Sequence, residues 1–383
     1  MKVLHLGKFD GDVGGIERYV RALLGGLPAD IEAINLVAND RPVTDEHRQY
    51  RYHTVRVASY GSVASVALAP SLPRVARRLH AEHRFDIVHL HFPDPLGQLA
   101  AMSLPRSVKR VISWHSDIIK QRAALMLYRP FLDAFARDAD AIVGATPQHF
   151  SASQQMADGK VGQLREVIPY GFYADAFAWN DAAHARQAAL ERERSGRPIV
   201  FTVGRHVYYK GFDVLIRAMR NVDAELWIGG RGPLTSELHE AARTSGVADR
   251  VHFAGFIPDS ELVAYYDACA VFCMPSTARA EQFGLVQLEA MHCAKPVVAT
   301  RLGTGVEYVT LDEVTGLLVE PNDEAALARA LNRLLGDSAL SHRLGAAGRA
   351  RVSQEFSVQQ MVEKTAALYR RLVADASAGA PGR

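Results

Sequence analysis

Residues 269–300 read CAVFCMPSTARAEQFGLVQLEAMHCAKPVVAT. CAVFCMPS is a short apolar, β-branched run, TARAEQFG a polar loop closed by Gly284, LVQLEAMHCA a helical pattern, and PVVAT a second strand. A strand, a helix and a further strand within about thirty residues form a crossover between parallel strands.

The same rhythm extends in both directions. PIVFTVG, AELWIGG, RVHFAG and GLLVE complete the strands of the second half. KVLHLG, IEAINLVA, HTVRVAS, DIVHLH, RVISWH, AIVGA and EVIPYG supply the first half. Helical patterns such as GIERYVRALLGGL, SLPRVARRLHAEH and LYRPFLDAFARDA lie between most of them. Strands alternating with helices predict an α/β protein built on doubly wound parallel sheets. At 383 residues the chain exceeds one ordinary core, so two Rossmann-like domains are expected. The join falls near the loop and charged helix FYADAFAWNDAAHARQAALERERSGRP. This predicts an N-terminal domain over 1–173 and a C-terminal domain over 174–383, with a final amphipathic helix at about 356–373 able to pack back on the first domain. Ligands of doubly wound sheets bind beyond the carboxyl ends of the strands, so two facing domains imply a cleft lined by strand-to-helix loops.

Composition fits a soluble globular protein, with 48% hydrophobic and 22% charged residues and a mean hydropathy of −0.05. The net charge of +2 gives no basis for nucleic-acid binding. It is uneven: residues 1–172 hold 21 Lys and Arg against 17 Asp and Glu, the remainder 23 against 25. No stretch is long and apolar enough to span a bilayer, and the start lacks the regions of a signal peptide. Cys269, Cys273 and Cys293 sit in apolar runs and read as reduced core thiols of a cytoplasmic protein.

The strand-end loops carry the polar groups. Arg205 and Lys210 in GRHVYYKG place two cations at a strand's carboxyl end, a seat for a diphosphate. Gly230 begins GRGPL, where glycine permits close backbone approach or simply a tight turn. FIPDSEL reads equally as backbone near Phe256 and Ile257 that contacts a nucleobase or simply as a helix start capped by Asp259 or Ser260. Glu281 lies in the loop, Glu289 inside the helix, and the amides of Phe283, Gly284 and Leu285 lie between them at the positive end of the helix dipole. The same spacing at Glu355 and Glu363 reads as one long polar helix face without function. His89 and His91 form a pair at a strand's end that is not needed as a metal site, because the two cations and the helix dipole already supply positive charge.

Together GGIERYV, SWHSD, GRHVYYKG, GRGP and EQFGLVQLE resemble the retaining nucleotide-sugar glycosyltransferases of family 4, over nearly the whole chain and in the family's order. The resemblance implies a GT-B fold and a metal-independent hexosyltransferase with no cofactor. It implies that Glu281 holds donor-sugar hydroxyls, Glu289 holds the ribose, and Arg205 and Lys210 neutralise the leaving diphosphate. The amides of residues 283–285 would touch sugar and phosphate. His115 matches the histidine beside the anomeric carbon, and Gly14 and Gly15 the loop that closes on the diphosphate. No carboxylate is placed as a nucleophile, which favours front-face retention. Asp117 reads as a contact to acceptor or sugar, or as a helix-starting cap before IIKQRAALM.

SWHSDIIKQ resembles O-antigen and capsule transferases that use GDP-mannose. The expected reaction moves mannose to a saccharide or lipid-linked saccharide in cell-surface polysaccharide synthesis; a UDP-sugar donor is the alternative. Arg74, Arg77, Arg78 and Arg84, interleaved with Leu72, Val75 and Leu79, form either a solvated helix or a peripheral contact with anionic lipid. Rival readings are a dinucleotide oxidoreductase, an epimerase or phosphorylase of the same fold, and a sensor that binds the donor without turnover. GKFDGDVGG lacks G-x-G-x-x-G, which disfavours the first.

Overall fold

The computed structural model describes residues 1–9, 15–48, 51–63, 66–118, 122–151, 153, 155–156 and 164–378. The chain forms two compact units, Met1–Gly171 with Val358–Arg383, and Phe172–Ser357. The division therefore falls two residues before the expected 173/174.

The first unit runs β1 (Lys2–Phe9), α1 (Gly15–Gly26), β2 (Glu32–Ala38), β3 (Asp45–His47), β4 (His53–Val57) and two-residue strands β5 (Ser62–Val63) and β6 (Val66–Ala67). It continues through α2 (Leu72–His83), β7 (Ile87–Phe92), α3 (Pro95–Met102), β8 (Lys109–Trp114), α4 (Arg122–Arg137), β9 (Ala141–Gly144), α5 (Pro147–Ser151) and β10 (Leu164–Val167). Its sheet has the order β10-β9-β8-β7-β1-β2-β4-β3. All neighbours are parallel except the edge strand β3. All six residues of β7, IVHLHF, are buried. A central parallel strand is covered on both faces, so the two histidines within it must find partners inside the protein.

The second unit runs α6 (Asp181–Glu193), β11 (Ile199–Val203), α7 (Phe212–Ala218), β12 (Glu225–Gly229), α8 (Thr235–Thr244), β13 (Val251–Gly255) and α9 (Asp259–Ala268). There follow β14 (Val271–Met274), α10 (Leu285–His292), β15 (Val297–Thr300), α11 (Val306–Val309), β16 (Gly316–Val319), α12 (Glu324–Gly336) and α13 (Ser338–Glu355). The parallel order is β13-β12-β11-β14-β15-β16. The order reverses between β11 and β14, so the crevice for a ligand opens at their carboxyl ends.

The last helix, α14 (Val358–Ala378), belongs to the first unit and packs on α1. A side chain at Gly26 would lie 2.7 Å from Val362, so glycine there permits the close approach. Tyr19, Leu23, Met361, Val362 and Tyr369 share one buried cluster. Glu355 ends α13 and Glu363 lies in α14, on two helices and in two units. The expected single polar face is therefore wrong: Phe356 and Ser357 interrupt it, a break that charge periodicity does not register.

On α2, Leu72 and Leu79 enter the core and Val75 packs against it. The apolar stripe is thus spent on folding, leaving Arg74, Arg77 and Arg78 on the exposed side. No described helix is long and apolar enough to cross a membrane.

Candidate active site

The loops after β11 and β14, strands adjacent at the switch point, are stitched together. Thr277 N–H donates to the Tyr209 carbonyl at 2.8 Å. Gly211 adopts φ 65°, and a side chain there would meet the Pro275 carbonyl oxygen at 2.1 Å. Only glycine permits both that backbone conformation and that approach. The contact brings Lys210 Nζ to 2.6 Å from Glu281 Oε2. Both side chains are nearly buried, at 13% and 10% exposure. Burial alone would lower the Lys210 ammonium, but the charge and hydrogen bond of Glu281 outweigh it and raise it, with further help from Tyr209 and Glu289. Ser276 donates to the same carboxylate oxygen at 3.0 Å, and Thr304 donates to the Glu281 carbonyl oxygen at 2.8 Å. Arg205 is exposed and, among the described residues, has no ion-pair partner.

Gly284 stands at the N-cap of α10 with φ 72°. A side chain there would lie 2.6 Å from Met274 Sδ and 2.8 Å from Gln287 Nε2. Gln287, wholly buried, donates to the Phe283 carbonyl at 2.9 Å and accepts from the Thr310 hydroxyl at 2.6 Å. It braces the turn from inside. The amides of Gly284 and Leu285 form no hydrogen bond to a described group, which leaves two donors at the helix entrance. Glu289 lies one turn further along α10, and Tyr266 of α9 donates to its Oε2 at 2.7 Å. Burial, then the carboxylate, pushes the Tyr266 phenol well above its ordinary value. Sequence reasoning missed Gln287 and Tyr266, whose type and position look like ordinary helix core.

Gly230 has φ 106°, and a side chain there would meet the Gly204 carbonyl oxygen at 2.0 Å. A side chain at Gly232 would meet the His206 carbonyl oxygen at 2.4 Å. Both glycines thus let the β11 and β12 loops pack backbone to backbone. At the end of β13, the Phe256 ring is 70% exposed while Ile257 is buried over Gly229. The N-cap of α9 is Pro258, without a side-chain cap. Neither Asp259 nor Ser260 stands at the cap as expected, because the helix begins one residue early and takes Asp259 into its first turn.

In the first unit, Gly14 lies outside the described residues and Gly15 is the first residue of α1. His115 follows β8 and is 6% exposed. Its Nδ1 is 2.9 Å from the Tyr170 hydroxyl, and its Nε2 is 3.3 Å from His91 Nδ1. Tyr19 of α1 packs edge-on to His115, with ring centres 5.0 Å apart. Burial holds His115 well below 6.5, with His91 and His149 adding to the effect. Asp117 accepts from Trp114 Nε1 at 3.0 Å and Ser153 Oγ at 2.5 Å, so it ties β8 to a later segment. His5, His89 and His91 bring ring nitrogens within 4.8 Å of one another, yet each ring already uses both nitrogens in hydrogen bonds.

Two doubly wound units, one with an ion pair and a helix entrance at its switch point, match the expected GT-B fold. Family models agree: residues 13–152 match "Glycosyltransferase Family 4" and residues 185–351 match "Glycosyl transferases group 1". The O-antigen chain mannosyltransferase C of Escherichia coli is 29% identical, covering 97% of this chain and 99% of that one. The D-rhamnosyltransferase WbpZ of Pseudomonas aeruginosa is 32% identical, covering 93% and 92%. A GDP-mannose-dependent alpha-(1-6)-phosphatidylinositol monomannoside mannosyltransferase of Mycolicibacterium smegmatis is 32% identical over 88% and 89%. Sucrose-phosphate synthase from Thermosynechococcus elongatus superposes with a TM-score of 0.78 at 25% identity, covering 98% and 99%. The chain belongs to the family-4 glycosyltransferases.

Proposed function

We propose that the protein transfers mannose from GDP-mannose, with retention and without a metal, to a saccharide or lipid-linked saccharide of a cell-surface polysaccharide. The observation that carries this reading is the Lys210–Glu281 pair at the switch point, beside the exposed Arg205. A bound diphosphate offers Lys210 more negative charge than one carboxylate does. Lys210 then turns toward phosphate with Arg205, and Glu281, still held by Ser276, is left to accept hydroxyls of the sugar. The Gly284 and Leu285 amides touch sugar and phosphate, and Glu289, oriented by Tyr266, holds ribose. The base lies along Phe256 and Ile257. To Gly14 and Gly15 we assign the diphosphate contact, and to His115 the sugar contact, that the family resemblance implies. The reaction separates a cationic sugar from an anionic diphosphate, so fixed charges and amides stabilise it. Arg205, Lys210 and the α10 dipole fill the role a divalent metal takes elsewhere. The donor reading draws on the mannosyltransferase relatives, of which one is named for GDP-mannose.

For the acceptor, the supporting feature is an apolar cavity of about 380 Å³ lined by Tyr60, Val66, Leu68, Pro95, Leu96 and Leu99, among others. Met102 at the end of α3 is also exposed, and Arg74 and Arg77 are exposed on α2, which packs on α3. Such a surface suits a lipid-linked acceptor at the cytoplasmic face of a membrane. Thermal melting with nucleotide sugars in EDTA tests the donor. GDP-mannose at a hundred times its dissociation constant should add about 2.7 kcal/mol. Stabilisation by UDP-sugars alone, or only with added Mg²⁺, would overturn the donor or the metal assignment.

A further inference from the structure

Seven neutral groups in the core of the first unit, four histidines, two tyrosines and a serine, form a continuous hydrogen-bonded chain. Tyr170 OH meets His115 Nδ1, His115 Nε2 meets His91 Nδ1, His91 Nε2 meets His5 Nδ1 at 3.1 Å, and His5 Nε2 meets Tyr369 OH at 3.3 Å. The Tyr369 hydroxyl also touches His89 Nδ1, and His89 Nε2 lies 2.8 Å from Ser113 Oγ. The four imidazoles are 0–6% exposed. Burial, reinforced for His89, His91 and His115 by neighbouring histidines, holds all four uncharged.

A neutral imidazole donates from one nitrogen and accepts at the other. Every ring here has both nitrogens engaged, so choosing one tautomer chooses the next. When the Tyr369 proton is itself donated within the chain, two arrangements remain. In one, each proton points from Tyr170 toward Ser113; in the other, all point the opposite way. His115 therefore does not set its own tautomer. The one hydroxyl shared by both branches is that of Tyr369, on α14, a helix that returns to this unit after the entire second unit.

We propose that Tyr369 is a positioning residue for sugar transfer: its hydroxyl accepts from His5 Nε2–H and so fixes, through His5 and His91, the proton of His115 on Nε2. The proposal rests on the assignment of His115 to the reaction. Tyr369→Phe keeps the ring and removes only the shared hydroxyl. His5 Nε2 then faces an apolar gap, where an N–H costs more than a bare nitrogen. Protonation moves to His5 Nδ1, and by succession to His91 Nδ1 and His115 Nδ1. Near the sugar, an uncharged and correctly turned His115 avoids repelling the developing cation, so the effect should fall on kcat and leave the donor KM unchanged.

The test uses full-length protein labelled with ¹⁵N-histidine, with His115→Gln to assign the His115 signals. Tyr369→Phe should populate the Nδ1-protonated form of His115 and lower kcat roughly two- to tenfold. Thr365→Val, which removes a buried hydroxyl that among the described residues bonds only to the Met361 carbonyl on the same helix, is the control and should change neither. Unmoved His115 signals in Tyr369→Phe would overturn the proposal. So would moved signals with unchanged turnover, or a stoichiometric metal ion held by His5, His89 and His91 and lost in the variant. If the wild type turns over no nucleotide sugar, the function reading fails instead, and the NMR comparison still decides whether Tyr369 controls the tautomer.

Discussion

Lys210 Nζ sits 2.6 Å from Glu281 Oε2, joining the loops of two adjacent strands through two nearly buried side chains. Each residue is therefore a structural partner of the other as well as a ligand contact. Removing one partner of such a pair strands a charge, at a cost of roughly 3–5 kcal/mol.

Lys210→Met should therefore destabilise the second unit by about that amount, and Lys210→Met with Glu281→Gln should recover most of it. Both variants should bind GDP weakly. Arg205→Ala, at an exposed site, should leave stability within about 0.5 kcal/mol and still lose roughly 1.5–3 kcal/mol of GDP affinity. Urea unfolding and calorimetric titration check the set; normal GDP affinity in all three would place the diphosphate seat elsewhere.

The two carboxylates of residues 281 and 289 should fail in different ways. Glu289→Gln should raise the donor KM and weaken free GDP, since ribose is present in both. Tyr266→Phe should do the same more mildly, by about 1 kcal/mol, because it frees Glu289 to turn. Glu281→Gln should reduce kcat with little change in GDP affinity. Glu363→Gln is the control for spacing; Glu355 is unsuitable because it pairs with Arg351. A common effect in Glu281→Gln and Glu289→Gln would contradict the division of labour.

Acid should unfold the first unit steeply. His5 is lowered to about 3 and His149 to about 4, both by burial, and His89, His91 and His115 lie well below 6.5. An unfolded histidine binds its proton near 6.5, so the stabilisation is complete above that pH and is lost as pH falls toward the folded values. Each contributes up to about 1.4 kcal/mol per pH unit. Denaturant unfolding between pH 7.5 and 5 should show a slope several times that of one histidine; the slope of a single group would mean that the chain is protonated in the folded state.

The strands were legible because short β-branched runs ending in Gly or Pro can do little else, and the helix entrance at Gly284 because glycine precedes an apolar helical pattern. The edge strand β3, DEH, was not: three polar residues pair through their backbone and leave no hydrophobic period. Among site residues, Glu281 and Lys210 were found separately, but their mutual pairing depends on Gly211 meeting Pro275, a contact between residues 64 positions apart. The histidines on β1 and β7 and the one just after β8 gave no signal as a chain, since only sheet register aligns them: His5 pairs with His89, and His91 with Ser113. Tyr369 joins them from the far end of the sequence.

The central claim is sugar transfer from a nucleotide donor with retention, driven by fixed protein charge. The most direct measurement is NMR of the linkage formed from GDP-α-mannose and a mannosylated acceptor in EDTA. The account predicts an α-linked product at undiminished rate, lost in Lys210→Met with Glu281→Gln. A β-linked product, or turnover that requires a divalent metal, would contradict it.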